Sequence, residues 1–275
     1  MTFFRMCPNV VLLCSAFLVV LDAAAQDDGS QDPTLAPGFA ARTIVVNQVP
    51  RRYAIWLPPD YDPAKAWPLI VYLHGAGERG MDGVRQTTAG IGPALVQWPE
   101  RFPGVVLLPQ CPYGSVWKSE FPVVDGEFGK TLREYNIDKH RIYLTGNSLG
   151  GFGSWSYAAL RPDLFAAMMP ICGAGSADDV LLCSGIPTWV FTSRRDTIVP
   201  VQLVRWSVLI ARFADSRVRY TEYPIADHDA WTPTYSSERV IAWLFHQSRS
   251  DNGQAQTPGP SDDMAGDPDD HPGLK

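Results

Sequence analysis

RIYLTGNSLGGFGSW (Arg141–Trp155) sets Ser148 among Gly146, Gly150, Gly151 and Gly153, between a β-rich run and a helical one. Within it, G-N-S-L-G fits the pattern G-x-S-x-G, whose meaning depends on that strand-to-helix context. A serine on so sharp a turn has strained backbone angles. Its hydroxyl is lifted into the open, and the N–H of Leu149 is aimed at the same space. Gly146 and Gly150 flank it where a β-carbon would collide with a neighbouring strand or helix. Glycine is a poor helix former, so Gly151 and Gly153 at a helix start signal close packing that outweighs propensity. The alternative is a flexible Gly/Ser loop, and only the rest of the chain separates the two.

Working outward, apolar runs alternate with helical stretches. Strands are expected at 42–49, 51–58, 68–75, 104–110, 141–146, 165–173, 186–193 and 218–224. The middle runs, such as PLIVYLHG, are continuously apolar, as in strands buried on both faces of a parallel sheet. Helices are expected near 88–97, 123–135, 149–160, 201–214 and 237–247. The first two strands follow each other too closely for a helical crossover and read as an antiparallel hairpin at the sheet edge. The expected fold class is therefore α/β, in three layers: about eight strands, mostly parallel, with helices on both faces. Chemistry in such sheets sits at the carboxyl ends of the strands.

Residues 1–25 read as a signal peptide. Arg5 supplies a positive start, Val10–Leu21 an apolar run and Ala23–Ala25 a small-residue cleavage site. The apolar run falls short of the roughly 20 residues that span a bilayer. A secreted or periplasmic protein without a stable membrane anchor is expected. An N-terminal extension (26–41), a catalytic domain (42–248) and an acidic tail (249–275) follow. The tail is too poor in large apolar residues to fold. Segment 251–275 carries −5 of the net charge of −6, so the acidic balance says little about the substrate. No Lys/Arg run suggests nucleic acid, and the oligomeric state is left open. Cleavage would leave Cys111, Cys172 and Cys183, hence one disulfide and a free thiol, or three thiols. Cys172–Cys183 is the first pair to consider. No cysteine or histidine spacing suits zinc, so no metal is expected.

A serine needs a base to become a nucleophile. His271 lies in the tail, His246 in the last helix and His140 at the wrong end of the sheet, while His74 belongs to another motif. His228 remains, in PIADHDAW after the last strand. The base in turn needs a carboxylate to hold its tautomer. Asp196, in FTSRRDTIVP after the seventh strand, is preferred. Asp227 and Asp229 flank His228 too closely to face it, and Asp178 and Asp179 are further rivals. YLHGAGERG (72–80) makes a Gly-rich turn after the third strand. The N–H groups of Ala76 and Leu149 are the expected donors to an oxyanion, each such donor being worth roughly 3 kcal/mol. Ser148, Asp196, His228 is the chain order of α/β-hydrolases.

From Arg42 to about Gln247 the chain resembles exported α/β-hydrolase esterases. The resemblance is closest to the group related to carbohydrate esterase family 1, feruloyl and acetyl-xylan esterases and polyhydroxybutyrate depolymerases. It is carried by YLHGAGERG, LLPQCPYGSVW, RIYLTGNSLGGFGSW, FAAMMPICGAG, DTIVPV and YTEYPIADHDAWTPTY. It places nucleophile, acid and base on Ser148, Asp196 and His228. Three departures stand out. Leu149 replaces a common Met, Asp227 replaces a common Gly before the base, and Arg194–Arg195 replace a more neutral turn. The arginines form surface ion pairs or perturb Asp196.

Glu78, Gln110, Trp117 and Trp231 leave the same strand ends and are the candidate pocket residues; the alternative for the tryptophans is simply to cover the sheet edge. The resemblance implies a serine carboxylic-ester hydrolase that needs no cofactor. Its substrate would be a small-molecule or polysaccharide-linked ester with a short or aromatic acyl group. A serine peptidase with the same triad, a lipase or phospholipase, and a non-catalytic hydrolase-fold binding protein are the alternatives.

Overall fold

The computed structural model describes residues 38–214, 216–225 and 227–250, together with the backbone of 255–256. The expected signal segment, nearly all of the extension and most of the tail lie outside the described residues.

The chain opens with β1 (Phe39–Val46) and β2 (Val49–Trp56), an antiparallel hairpin in register Val46↔Val49. Its two-residue turn, Asn47–Gln48, has φ of 50° and 66°. Positive φ at both positions is what matches a tight turn to the twist of the strands. Next come β3 (Trp67–Leu73), β4 (Val105–Leu108), β5 (Ile137–Asn147), β6 (Ala167–Ile171), β7 (Thr188–Ser193) and β8 (Val218–Tyr223). They form one sheet in the order β1-β2-β4-β3-β5-β6-β7-β8. β2 pairs with β4 antiparallel, and every pairing from β4 to β8 is parallel. β3, β4, β6 and β7 are buried along their whole length. Helices on both sides therefore cover them, which is why they show no polar alternation.

The helices are α1 (Ile91–Gln97), α2 (Trp117–Glu134), α3 (Leu149–Leu160), α4 (Ala177–Leu182), α5 (Val201–Phe213), α6 (Trp231–Ser236) and α7 (Glu238–Phe245). Alternate strand residues feed two separate cores. Leu69, Val71 and Leu73 join side chains of α2, α3, α4 and α5 in one. Ile70 and Tyr72 join those of α1, α6 and α7 in the other. This is the three-layer arrangement expected from the sequence.

Three local differences have physical causes. α2 begins six residues before the expected start and runs through Pro122. Its first turns bury Trp117 and Phe121, and that packing outweighs the backbone bond a proline forfeits. Short α4 and α6 lack the length for a helical period to show in sequence. The pairing considered for Cys172 and Cys183 does not form: Cys111, Cys172 and Cys183 are all free and buried. Cys172 lies in one core and Cys183 in the other, on opposite faces of the sheet. At the far end, Ala255–Gln256 pairs antiparallel with Ser248–Arg249 (β10 and β9), inside the segment expected to remain unfolded.

Candidate active site

Ser148 sits between the last residue of β5 and the first of α3, at φ 54° and ψ −117°. A non-glycine residue there is strained by about 1–3 kcal/mol and persists only where its surroundings enforce it. The surroundings are backbone. A β-carbon on Gly146 would lie 2.5 Å from the carbonyl oxygen of Gly150, and one on Gly151 would lie 2.4 Å from that of Ile171. The Ser148 N–H donates to Ile171 O at 2.9 Å, tying the turn to the end of β6.

His228 lies in the loop between β8 and α6, and Asp196 just after β7. The structure brings them to Ser148. Ser148 Oγ is 2.7 Å from His228 Nε2, and His228 Nδ1 is 2.6 Å from Asp196 Oδ2. The N–H groups of Ile198 and Val199 each donate to Asp196 Oδ1 at 2.8 Å. Burial alone would raise the Asp196 carboxyl. The His228 bond and the two N–H donors outweigh it and hold the group below its usual range. An ionised Asp196 accepts only, so the Nδ1 proton belongs on His228 and Nε2 is left to accept from the serine hydroxyl.

Ala76 opens a short 3-10 turn (Ala76–Glu78) just after β3, and Leu149 opens α3. The first N–H groups of a helix have no carbonyl of their own helix to bond. The turn carrying Ala76 is fixed by His74. Its Nε2 accepts from the Cys111 N–H at 2.9 Å, so its Nδ1–H donates to Gly75 O at 2.6 Å. Burial lowers the pKa of His74 to about 4 and keeps it neutral. It is a scaffold, not a base. Asn147, next to Ser148, accepts from the Tyr72 hydroxyl at 2.6 Å.

No family model matches the chain. A thermostable esterase of known structure superposes with a TM-score of 0.72 at 38% identity, over 77% of this chain and 64% of that one. The chain has the α/β-hydrolase fold.

The fold is shared with a ferulic acid esterase from Anaeromyces mucronatus, with a TM-score of 0.58 at 19% identity over 79% and 92% of the two chains. Among curated proteins, acetylxylan esterase A of Emericella nidulans is 26% identical over 174 residues, which cover 58% of this chain and 55% of that protein. The hydrolase-fold chain thus spans about half the length of the curated relatives it matches.

Two candidate pocket residues of this α/β-hydrolase chain have other partners. Gln110, buried, donates to Glu78 O at 3.3 Å and Asp82 Oδ1 at 3.1 Å and accepts from the Gly83 N–H at 2.7 Å. It braces the loop after β3. Trp117 is 1% exposed, donates to His74 O at 3.0 Å and lies against Gly153. The polar side-chain atoms of both are thus already bonded within the protein. Glu78 is half-buried, and burial raises its carboxyl; its Oε2 has no hydrogen-bond partner among the described residues. Trp231 lies edge-on to His228, ring centroids 5.3 Å apart.

Three of the four rival carboxylates bond elsewhere. Asp227 and Asp229 organise their own loop and the start of α6, and Asp179 accepts from Ser156. Arg194 pairs with Glu222 at 3.0 Å, so of its two expected roles the surface ion pair is realised. Sequence reasoning missed Tyr72 and Asn147, whose bond beside Ser148 joins residues 75 apart and leaves no local signal.

Proposed function

We propose that this chain is an exported serine carboxylic-ester hydrolase. One observation carries the reading: the continuous hydrogen-bonded line from Ser148 through His228 to Asp196. In this reaction His228 Nε2 takes the Ser148 proton as the oxygen attacks the ester carbonyl. Asp196 steadies the imidazolium that results. The N–H groups of Ala76 and Leu149 receive the oxyanion. Collapse of the tetrahedral intermediate returns the proton from His228 to the leaving alcohol, and water then hydrolyses the acyl-enzyme by the same steps. The chemistry calls on no cofactor.

The substrate class follows the relatives, whose names specify acetylxylan and ferulic acid. A short or aromatic acyl ester, free or polysaccharide-linked, is proposed, with Glu78 and Trp231 at the acyl or sugar side. Export rests on the sequence of residues 1–25. Among the described residues no helix is long and apolar enough to cross a membrane.

The test is hydrolysis of p-nitrophenyl esters from acetate to octanoate, with methyl ferulate and aminoacyl-p-nitroanilides, by wild type and Ser148→Ala. Ester turnover that vanishes in the variant supports the reading. Anilide cleavage with poor ester turnover favours a peptidase. A folded protein with no Ser148-dependent activity defeats the enzymatic reading.

A further inference from the structure

Cys172 follows β6, the strand between β5, which leads to Ser148, and β7, which leads to Asp196. Its φ is 49°, in the left-handed region that suits glycine and strains any other residue. Glycine follows immediately, at Gly173, yet the strained position carries a thiol. That thiol is fully buried. Its sulfur donates to the carbonyl oxygen of His228 at 3.4 Å. The sulfur, a carboxylate oxygen of Asp196 and a ring nitrogen of His228 all lie within 4.8 Å of one another. Burial, aided by the negative charge of Asp196, pushes the thiol up to about 12. It is therefore an S–H donor and not a thiolate nucleophile. Nδ1 and Oδ2 are already bonded to each other at 2.6 Å, so the three groups form a hydrogen-bonded set and do not splay around a cation.

We propose that Cys172 is a positioning residue, its thiol holding the His228 carbonyl from behind, beside the Asp196 carboxylate, so that the imidazole faces Ser148. The inference rests on the Ser–His–Asp reading above. His228 sits in a loop, and its carbonyl accepts from two groups, the Ala230 N–H at 3.3 Å and this thiol. Losing the thiol loosens the backbone that carries the base. Asp196 and His228 are the titratable groups facing the sulfur, so the acidic limb of the rate profile moves on substitution.

Cys172→Ala and Cys172→Ser would be compared with wild type in melting temperature and in kcat and KM for p-nitrophenyl acetate across the acidic limb. The low-field proton resonance of His228 Nδ1 would be recorded for each. In Cys172→Ala, kcat should fall by about three- to tenfold, the loss of one modest hydrogen bond, with KM nearly unchanged. The acidic limb should shift and the resonance should move. Cys172→Ser, which keeps a donor, should recover most of each change. A folded Cys172→Ala with unaltered kcat, acidic limb and resonance overturns the proposal. If wild type lacks Ser148-dependent turnover, the esterase reading fails, and the resonance, which needs no turnover, decides whether Cys172 positions His228.

Discussion

A β-carbon on Gly150 would sit 1.8 Å from the carbonyl oxygen of Leu73. The first turn of α3 thus rests directly on the end of β3. No other residue lets the two backbones approach so closely.

Gly150→Ala should accordingly be among the most damaging single-methyl additions in this chain. Both colliding groups are backbone, with no flexible side chain to yield. A loss of about 3 kcal/mol or more should lower the melting temperature by roughly 6 °C or more, or abolish soluble expression. Gly77→Ala is the control. Nothing lies within 4 Å of its missing β-carbon, and its melting temperature should barely change.

Asp196→Asn should reduce kcat by about 10⁴-fold while KM changes little, since the amide favours the wrong imidazole tautomer. The same substitution tests linkage. The folded carboxyl lies below its ordinary value of 3.8. Its contribution to stability is present above that value and is lost as pH falls through the folded one. Urea midpoints of wild type and variant should differ at neutral pH and converge in strong acid.

Glu127 on α2 is fully buried, and neither carboxylate oxygen has a partner among the described residues; nor has the nearby Tyr53 hydroxyl. Burial raises its carboxyl well above the ordinary 4.5, against the pull of Arg51. A raised acid stabilises the fold below the unfolded value, and that stability is lost as pH rises toward the folded one. Glu127→Gln, neutral at every pH, should be more stable than wild type under alkaline conditions. The gain should vanish near pH 4.5. A variant less stable at all pH values would show that the carboxylate is ionised and useful.

Trp231 meets the His228 ring edge-on at 89° and should wall the acyl side. Trp231→Ala is expected to cut kcat/KM for methyl ferulate by about fivefold or more, the scale of one lost aromatic contact. Turnover of p-nitrophenyl acetate should fall much less. Equal losses on both esters would assign the ring to holding His228.

Much of the fold was legible because its signals are local. Continuous apolar runs marked β3, β4, β6 and β7, and the edge hairpin was expected because two strands follow without room for a crossover, although its turn at Asn47–Gln48 falls inside the first expected strand. The early start of α2 was hidden, because Pro122 argues for a boundary that only the burial of Trp117 and Phe121 overrides. Gln110 and Trp117 looked like pocket residues because they leave the correct strand ends. Position along the chain does not reveal that Trp117 already donates to the His74 carbonyl and that Gln110 is bonded to Glu78, Asp82 and Gly83.

By itself the sequence determined the order of strand, turn and helix, the crowding around Ser148, and the chain order of serine, aspartate and histidine. These depend on neighbours in sequence: apolar periodicity, missing β-carbons and loops that follow strands. The tertiary structure alone decided which groups meet. Placing β5, β6, β7 and β8 side by side draws Ser148, Cys172, Asp196 and His228 to one edge, though 80 residues separate the first from the last. The same sheet keeps Cys172 from Cys183, since the two lie in the cores on its opposite sides and a disulfide cannot cross the layer between them.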